Sequence, residues 1–288
     1  MKKRIHKYDY EKGIITVIDK NKYVNFYLTN SIKNRFGSLL EVGYFTSFKV
    51  NYKRSKIIEK IKCYQINHFT RIEKPTFRTT KILYDINDYR EEVIYKITND
   101  RYYLFLDLEM TMPPYYPVKN FQAEIIQVGY YLTDNKYKII KKKDYYLKPT
   151  KFKTVSKRTL KFLNIERGSI KNPKDYSYFY KDFKKIIEKY DPKIVVWGKN
   201  DYLAIKTSFH INKEKPIINQ TRFINLLTKV KRYYNLFNDV GLFNAYEIYY
   251  NQAPLQKHDA LSDAYVLFKI YEAFTKKAHP QKAFTKLW

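Results

Sequence analysis

Asp107 and Glu109 close the most apolar stretch in the second half of this chain, Tyr102 to Leu108. On a β-strand, residues two apart face the same side, so the two carboxylates would stand together at the strand end. Like charges held close and away from water are costly unless cations neutralise them. Hard oxygen ligands of this kind suit Mg²⁺ or Mn²⁺. Spacing alone does not make a site. Asp9 and Glu11 have the same spacing, but they sit in a polar lead-in with no apolar strand before it and read as solvated surface.

Two further acidic positions join the first pair. Ile194 to Trp197 is a short buried strand that runs into Gly198, Lys199, Asn200 and Asp201. Ligands of open α/β sheets gather where strands end, which brings Asp201 toward Asp107 and Glu109. Taken alone, Asp201 would be a turn residue or a helix cap. The third position is His258-Asp259-Ala260-Leu261-Ser262-Asp263, at the start of an apolar helical stretch. Five helical residues rotate by about 140°, so His258 and Asp263 share no helix face. They converge if His258 precedes the helix and Asp263 lies on its first turn, with Asp259 as N-cap.

The elements that must position these groups change character along the chain. From about residue 10 to 69 the pattern is short strands and turns. Val24, Phe26 and Leu28 alternate with Tyr23, Asn25 and Tyr27, and Phe48, Val50 and Tyr52 share a face. Five strands in about sixty residues suit a small antiparallel barrel. Residues 71–100 read as a charged connector with one helix. From residue 101 strands and helices alternate, as in an α/β layer. Tyr102 to Leu108, Glu124 to Leu132, Tyr145 to Leu147 and Ile194 to Trp197 read as strands. Helices are expected from Ser156 to Leu163, over Phe179 to Tyr190, around Phe223 to Val230, and over Ala260 to Phe274.

The order Asp-x-Glu, then Asp, then His-x₄-Asp resembles the DEDDh superfamily of 3′→5′ exonucleases. The segments Asp107-Leu108-Glu109-Met110-Thr111, Glu124 to Gly129, Lys148-Pro149-Thr150 and Trp197 to Asp201 look like its ERI-1-like branch, with the bacterial KapD-type proteins. The resemblance covers roughly residues 101 to 275 and leaves no motif carboxylate or histidine missing. It implies a ribonuclease H-like α/β domain with a mixed sheet. It also implies a two-metal mechanism in which Asp107, Glu109, Asp201 and Asp263 hold two Mg²⁺ or Mn²⁺ ions and His258 is the general base. Met110 or Thr111 would contact the terminal nucleotide. The first 70 residues resemble a cold-shock or S1-type OB domain, through Lys12 to Ile15, Val24 to Leu28 and Glu41 to Gly43. Such folds bind single strands with exposed aromatics, here Tyr23 and Tyr27, and a basic rim. The domains expected are thus 1–70, a connector 71–100, and an exonuclease domain 101–288.

Composition agrees with a polyanionic partner. Lysine and arginine total 56 against 28 acidic residues, a formal net charge of +28. The joint richness in Lys, Asn, Ile and Tyr is also the mark of A+T-rich coding, which weakens that inference. A lone cysteine, Cys63, allows no internal disulfide and fits a reducing cytoplasm. No run is long and apolar enough for a membrane span, and no secretory signal follows the basic start. The expected function is an exonuclease on single-stranded nucleic acid, RNA favoured. The alternatives are a single-stranded DNA exonuclease and a non-catalytic nucleic-acid-binding protein that keeps a nuclease fold.

Overall fold

A computed structural model of the chain describes residues 2–115, 118–151, 154–166, 168, 170–253, 259–276 and 284. It divides into two compact units, Met1–Tyr95 and Lys96–Trp288. Among the described residues, no helix is long and apolar enough to cross a membrane.

The first unit contains β1 (Lys3–Asp9), β2 (Ile14–Asp19), β3 (Lys22–Tyr27), α1 (Asn30–Phe36), β4 (Phe45–Ile58), β5 (Ile61–Pro75) and β6 (Thr80–Asp85), followed by α2 (Ile86–Thr98), in which the division falls. β1, β2 and β3 form an antiparallel meander, β1 also pairs with β4, and β4 pairs with β5. A parallel pairing of β3 with β5 closes the ring. Closure removes the exposed edges that a small open sheet would carry. The interior is filled by Ile15 and Val17 from β2, Phe26 from β3, and Ile66, Phe69 and Ile72 from β5, the last three spaced three apart across the β4–β5 register shifts. α1 adds Ile32 and Phe36 to the same core. A closed five-stranded barrel with a helix between its third and fourth strands is OB-like. β1 is a strand that the sequence reading missed, because its Lys3-Arg4-Ile5-His6-Lys7-Tyr8-Asp9 buries one residue fully, Ile5. The stretch 71–100 is not free chain. It holds the end of β5, strand β6 paired to it, and α2.

The second unit contains β7 (Tyr102–Met110), β8 (Ile125–Asp134), β9 (Ile139–Tyr146), α3 (Lys157–Phe162), α4 (Tyr176–Tyr190), β10 (Lys193–Val196), α5 (Asn200–Ile211), β11 (Phe223–Asn225), α6 (Leu226–Tyr234), α7 (Leu242–Tyr250) and α8 (Ala260–Thr275). The sheet order is β11-β10-β7-β8-β9, with β10 parallel to both neighbours and β7, β8 and β9 antiparallel. It is a mixed sheet with helices on both faces. Phe223 belongs to the edge strand β11 rather than to the helix, which begins at Leu226. Three residues are too short a run for period 2 to be visible.

Strand alternation divides β7 cleanly. Leu104, Leu106 and Leu108 pack with Phe179, Phe183 and Ile186 of α4 and Ile205 of α5. Tyr103 and Phe105 meet α8 on the other face, Tyr103 against Tyr271 at 5.2 Å between ring centroids and Phe105 against Phe268 at 5.0 Å. Asp107 and Glu109 continue that second face. Moving along β7 from Tyr103 to Glu109 moves back along α8 from Tyr271 toward its N-terminus. The eight helical residues from Tyr271 to Asp263 span about 12 Å, and the four strand residues from Tyr103 to Asp107 about 13 Å. The aromatic pairs therefore deliver the first turn of α8 to the carboxylates.

That delivery depends on Gly129. It faces Asp107 across the β7–β8 ladder, and a Cβ built on it would overlap the backbone of Ala260 and Leu261. Gly129→Ala is expected to push the α8 N-terminus outward, lowering stability by about 1–3 kcal/mol in a urea titration. An unchanged midpoint would show that the helix can yield there without loss.

Candidate active site

The four carboxylates arrive on three elements, β7, α5 and α8. Asp107 and Glu109 end β7, and a register shift between Glu109 and Met110 marks where regular pairing with β8 stops. Bulges of this kind often re-aim side chains beside a site. Asp263 lies in the first turn of α8 and is 7% exposed. One carboxylate oxygen from each of Asp107, Glu109 and Asp263 can be chosen so that all lie within 4.8 Å of one another. Asp201 comes from the other side. β10 ends at Val196, Gly198 turns the chain with φ of +100°, and α5 starts at Asn200. The Asp201 side chain, 5% exposed, accepts the Leu108 backbone N–H at 3.1 Å, beyond the last β7–β10 pair of Phe105 with Val195.

Asp259 caps α8. Its carboxylate accepts the backbone N–H of Ser262 at 3.0 Å and the Ser262 hydroxyl at 2.7 Å. Gln127 holds the cap in place. This side chain is 1% exposed and sits opposite Glu109 on β8. Its amide donates to Asp259 at 2.8 Å and to Asp144 of β9 at 3.0 Å. The sequence reading took Gln127 as part of a motif and gave it no role. A buried glutamine amid strand residues was the available signal, since its polar groups must be paired.

Charge is the distinctive property of the cluster. The chain carries 56 lysines and arginines, yet among the described residues none forms an ion pair with Asp107, Glu109, Asp201 or Asp263. Burial raises the Glu109 carboxyl to about 7, helped by Asp263 and Asp201. Burial likewise raises Asp263 to about 7, with Asp259 and Asp201 adding to it. Asp201 also rises to about 7 through burial, against the opposing backbone hydrogen bonds. Asp107 is pushed well above the usual carboxylate range by burial and by the other three acids. Asp9 shows the opposite behaviour. It closes β1, so a strand does precede it, but it accepts the Lys12 backbone N–H at 2.9 Å, and that bond leads the lowering of its carboxyl. Equal spacing thus gives opposite electrostatics.

A divalent cation fits this site. The Asp263 Oδ1 atom is buried without a hydrogen-bond partner, and the donors are all hard carboxylate oxygens.

The remaining expected residues are dispersed. Thr111 is buried, and its hydroxyl oxygen accepts the Glu124 backbone N–H at 2.9 Å; Met110 is half-buried at the end of β7. Glu124 in turn accepts the Thr150 and Lys151 backbone N–H groups, tying that loop to the end of β7. Tyr23 is 64% exposed on the barrel, its ring 4.8 Å from that of His6. Tyr27 is a correction. It is 6% exposed, and its hydroxyl donates to Gln65 at 2.9 Å, because the β3–β5 closure covers the face that strand alternation assigned to solvent. It offers no stacking surface. His258 lies outside the described residues.

The raised carboxyls fix the sign of a pH effect. The folded state keeps protons on Glu109, Asp201 and Asp263 up to about 7, whereas the unfolded chain loses them near 4. Folded protein binds more protons in that window, so metal-free stability should fall as pH rises from about 4 to about 7. Mn²⁺ or Mg²⁺, which needs the ionised carboxylates, should raise Tm more at pH 8 than at pH 5. At a metal concentration a hundred times Kd the gain is about 2.7 kcal/mol. Asp263→Asn should raise the EDTA-treated Tm at pH 8 and remove the metal-dependent gain. A metal shift equal at both pH values would contradict the assignment.

Comparison with known proteins agrees with this geometry. The exonuclease family RNase_T matches residues 104–271. The probable 3′-5′ exonuclease KapD of Bacillus subtilis (strain 168) is 29% identical over 178 residues, 59% of this chain and 82% of that protein. The nuclease domain of 3′hExo, a DEDDh family member solved bound to rAMP, superposes with a TM-score of 0.52 at 16% identity, over 62% of this chain and 94% of that one. A full-length 3′-exonuclease gives 0.51 at 15% identity, over 62% of this chain and 61% of its own length. With its carboxylates gathered at the ends of β7 and β10 and on the first turn of α8, the chain belongs to the exonuclease family.

Proposed function

We propose that this protein is a metal-dependent 3′→5′ exonuclease that removes nucleoside 5′-monophosphates one at a time from single-stranded nucleic acid, with RNA preferred to DNA. The observation that carries the reading is the group of four buried or half-buried carboxylates that have no lysine or arginine partner among the described residues, on a chain of net charge +28. A packed fold gains nothing from such a group, and a non-catalytic binding protein would have no need of it.

Asp107, Glu109, Asp201 and Asp263 are the proposed holders of two divalent ions. Bound there, such ions would make a water acidic near neutral pH and balance charge on the phosphate and the departing 3′-oxygen. The protein's own part is to place and orient. Asp201 is anchored through the Leu108 N–H, and Asp263 through the Asp259 cap and Gln127, so both keep their positions without a ligand. His258, next in sequence to that cap, is the proposed general base. Imidazole as a side chain ordinarily titrates near neutrality, which suits the taking of a proton from an attacking water. As the water oxygen bonds to phosphorus, the bond to the 3′-oxygen breaks and the terminal nucleotide leaves with its 5′-phosphate. The backbone at Met110 and Thr111 is the proposed wall for that nucleotide.

The preference for RNA is supported by the likeness of the second unit to a nuclease domain that was captured with rAMP. The test is a 5′-labelled single-stranded RNA and its DNA counterpart, each with Mg²⁺, Mn²⁺ or EDTA. A metal-dependent ladder shortening from the 3′ end is expected, faster on RNA. Asp107→Ala should slow it at least about a hundredfold, the scale of losing several kcal/mol of transition-state charge stabilisation. Faster loss of DNA would select the single-stranded DNA enzyme. Binding of both strands with no shortening of either would leave a binding protein.

A further inference from the structure

We propose that the bulged part of β4, Tyr52 to Lys56, is a binding site for the phosphodiester backbone of a single-stranded nucleic acid, a site that deepens the exonuclease reading and takes its meaning from it. The β4–β5 register passes from Asn51 opposite Gln65 to Ser55 opposite Tyr64, so Tyr52, Lys53 and Arg54 have no counterparts on β5. Such an insertion gives up ladder hydrogen bonds, and its structural effect is to turn side chains away from the sheet.

What it displays is cationic. Lys53, Arg54 and Lys56 line a concavity of about 810 Å³ together with Thr29, Ser31 and Gln65. Among the described residues none of the three cations forms an ion pair. Elsewhere in this unit Lys2, Lys3, Lys12 and Arg71 each meet a carboxylate. The hairpin around the bulge also carries Lys60 and Lys62, and its acidic residue Glu59 is engaged by Lys12. Compositional bias explains many lysines but not a concave group from which carboxylates are absent.

The site is partly preorganised. The Lys56 ammonium lies 5.1 Å from the centre of the Tyr27 ring, and Tyr27 is itself fixed by its hydrogen bond to Gln65. Tyr27 thus lies beneath a lysine rather than beneath a base. Tyr52, 69% exposed, meets the edge of Tyr64 with ring centroids 5.3 Å apart. It is the aromatic at this site with a surface open to a base. A volume far larger than one phosphate, cations spread along a strand and an adjacent aromatic together fit a polynucleotide better than a small anion.

The experiment uses the full-length chain in EDTA, so that binding is read without hydrolysis. A 5′-fluorescein-labelled 20-nucleotide RNA is titrated by anisotropy between 50 and 300 mM salt, as roughly the range over which counterion release is resolved. The variants are Lys53→Ala/Arg54→Ala/Lys56→Ala, Tyr52→Ala, and a control of equal charge change on the exposed face of α4, Lys181→Ala/Lys185→Ala/Lys189→Ala. Loss of three phosphate contacts should weaken binding about tenfold or more and make the log–log salt slope shallower by about 2, at roughly 0.7 per phosphate on a single strand. Tyr52→Ala should weaken it at least about fivefold, the low end of one base–aromatic stack, with the salt slope kept. The α4 control should bind like the wild type. If the bulge variant keeps its affinity and slope, or loses no more than the α4 control, the proposal is overturned, as it is if the wild type binds no RNA. A wild type that binds through the bulge yet shortens no strand with Mg²⁺ or Mn²⁺ would overturn the exonuclease reading and leave this site standing.

Discussion

Mutual repulsion among carboxylates is the term against which the second unit is built. Two ionised groups 4.8 Å apart repel by about 3.5 kcal/mol at an effective dielectric near 20, before solvent screening. Three such pairs approach the whole net stability of a typical domain, about 5–15 kcal/mol. The folded chain therefore either keeps protons on these groups or holds cations between them, and it must supply the packing that keeps them together in both cases. That packing is the aromatic contact of Tyr103 and Phe105 with Tyr271 and Phe268, and the core of Leu104, Leu106 and Leu108 against α4 and α5. Both faces of β7 are committed to holding its last residues in place.

The crossing of α8 over β8 turns this constraint into geometry. Without a Cβ at Gly129 the helix backbone comes within direct contact of the sheet, and the first turn lands beside Asp107. Gln127, two residues earlier on the same face, donates to the cap of that helix. Strand period, a missing side chain and a buried amide act on a single segment, so Glu124 to Asp134 positions the site without supplying a ligand to it. Helix packing brings Asp263 near, and the amide fixes its final orientation.

Where periodicity was long and pure, the sequence showed the structure. β7, α4 and α8 were legible because their apolar residues recur over nine or more positions, and Ser156 and Asp259 were legible as caps because their side chains precede helical runs. The carboxylates were legible as an ordered set, since each stands where an apolar element begins or ends. The rest was set by tertiary contact. Tyr27 alternates as a solvent-facing residue until β5 closes over it, β6 and β11 gain strand form from their neighbours, and Gly129 reads as an ordinary strand glycine until α8 crosses it. Asp9 and Asp107 share a spacing and differ in what surrounds them. A donor from Lys12 faces the first, and four further acids, Asp201, Asp263, Glu109 and Asp259, act on the second.

The distribution of charge between partnered and unpartnered groups separates function from compositional drift in a chain this basic. Random enrichment in lysine would pair acids wherever they occur, and it does so at Asp182, whose carboxylate is buried like that of Asp263. Burial opposes ionisation of Asp182, but hydrogen bonds from Lys143 and Tyr130 and the Lys141 charge outweigh it and hold its carboxyl below the ordinary value. The same unit thus contains a buried acid on α4 that cations neutralise within the protein and a group of acids that, among the described residues, they do not. The difference is not supply, since lysines are plentiful on β9 and throughout the surface. Among the described residues it is the exclusion of cationic side chains from one end of β7, and a fold whose described cations stay away from four acids leaves that place to ions from solution.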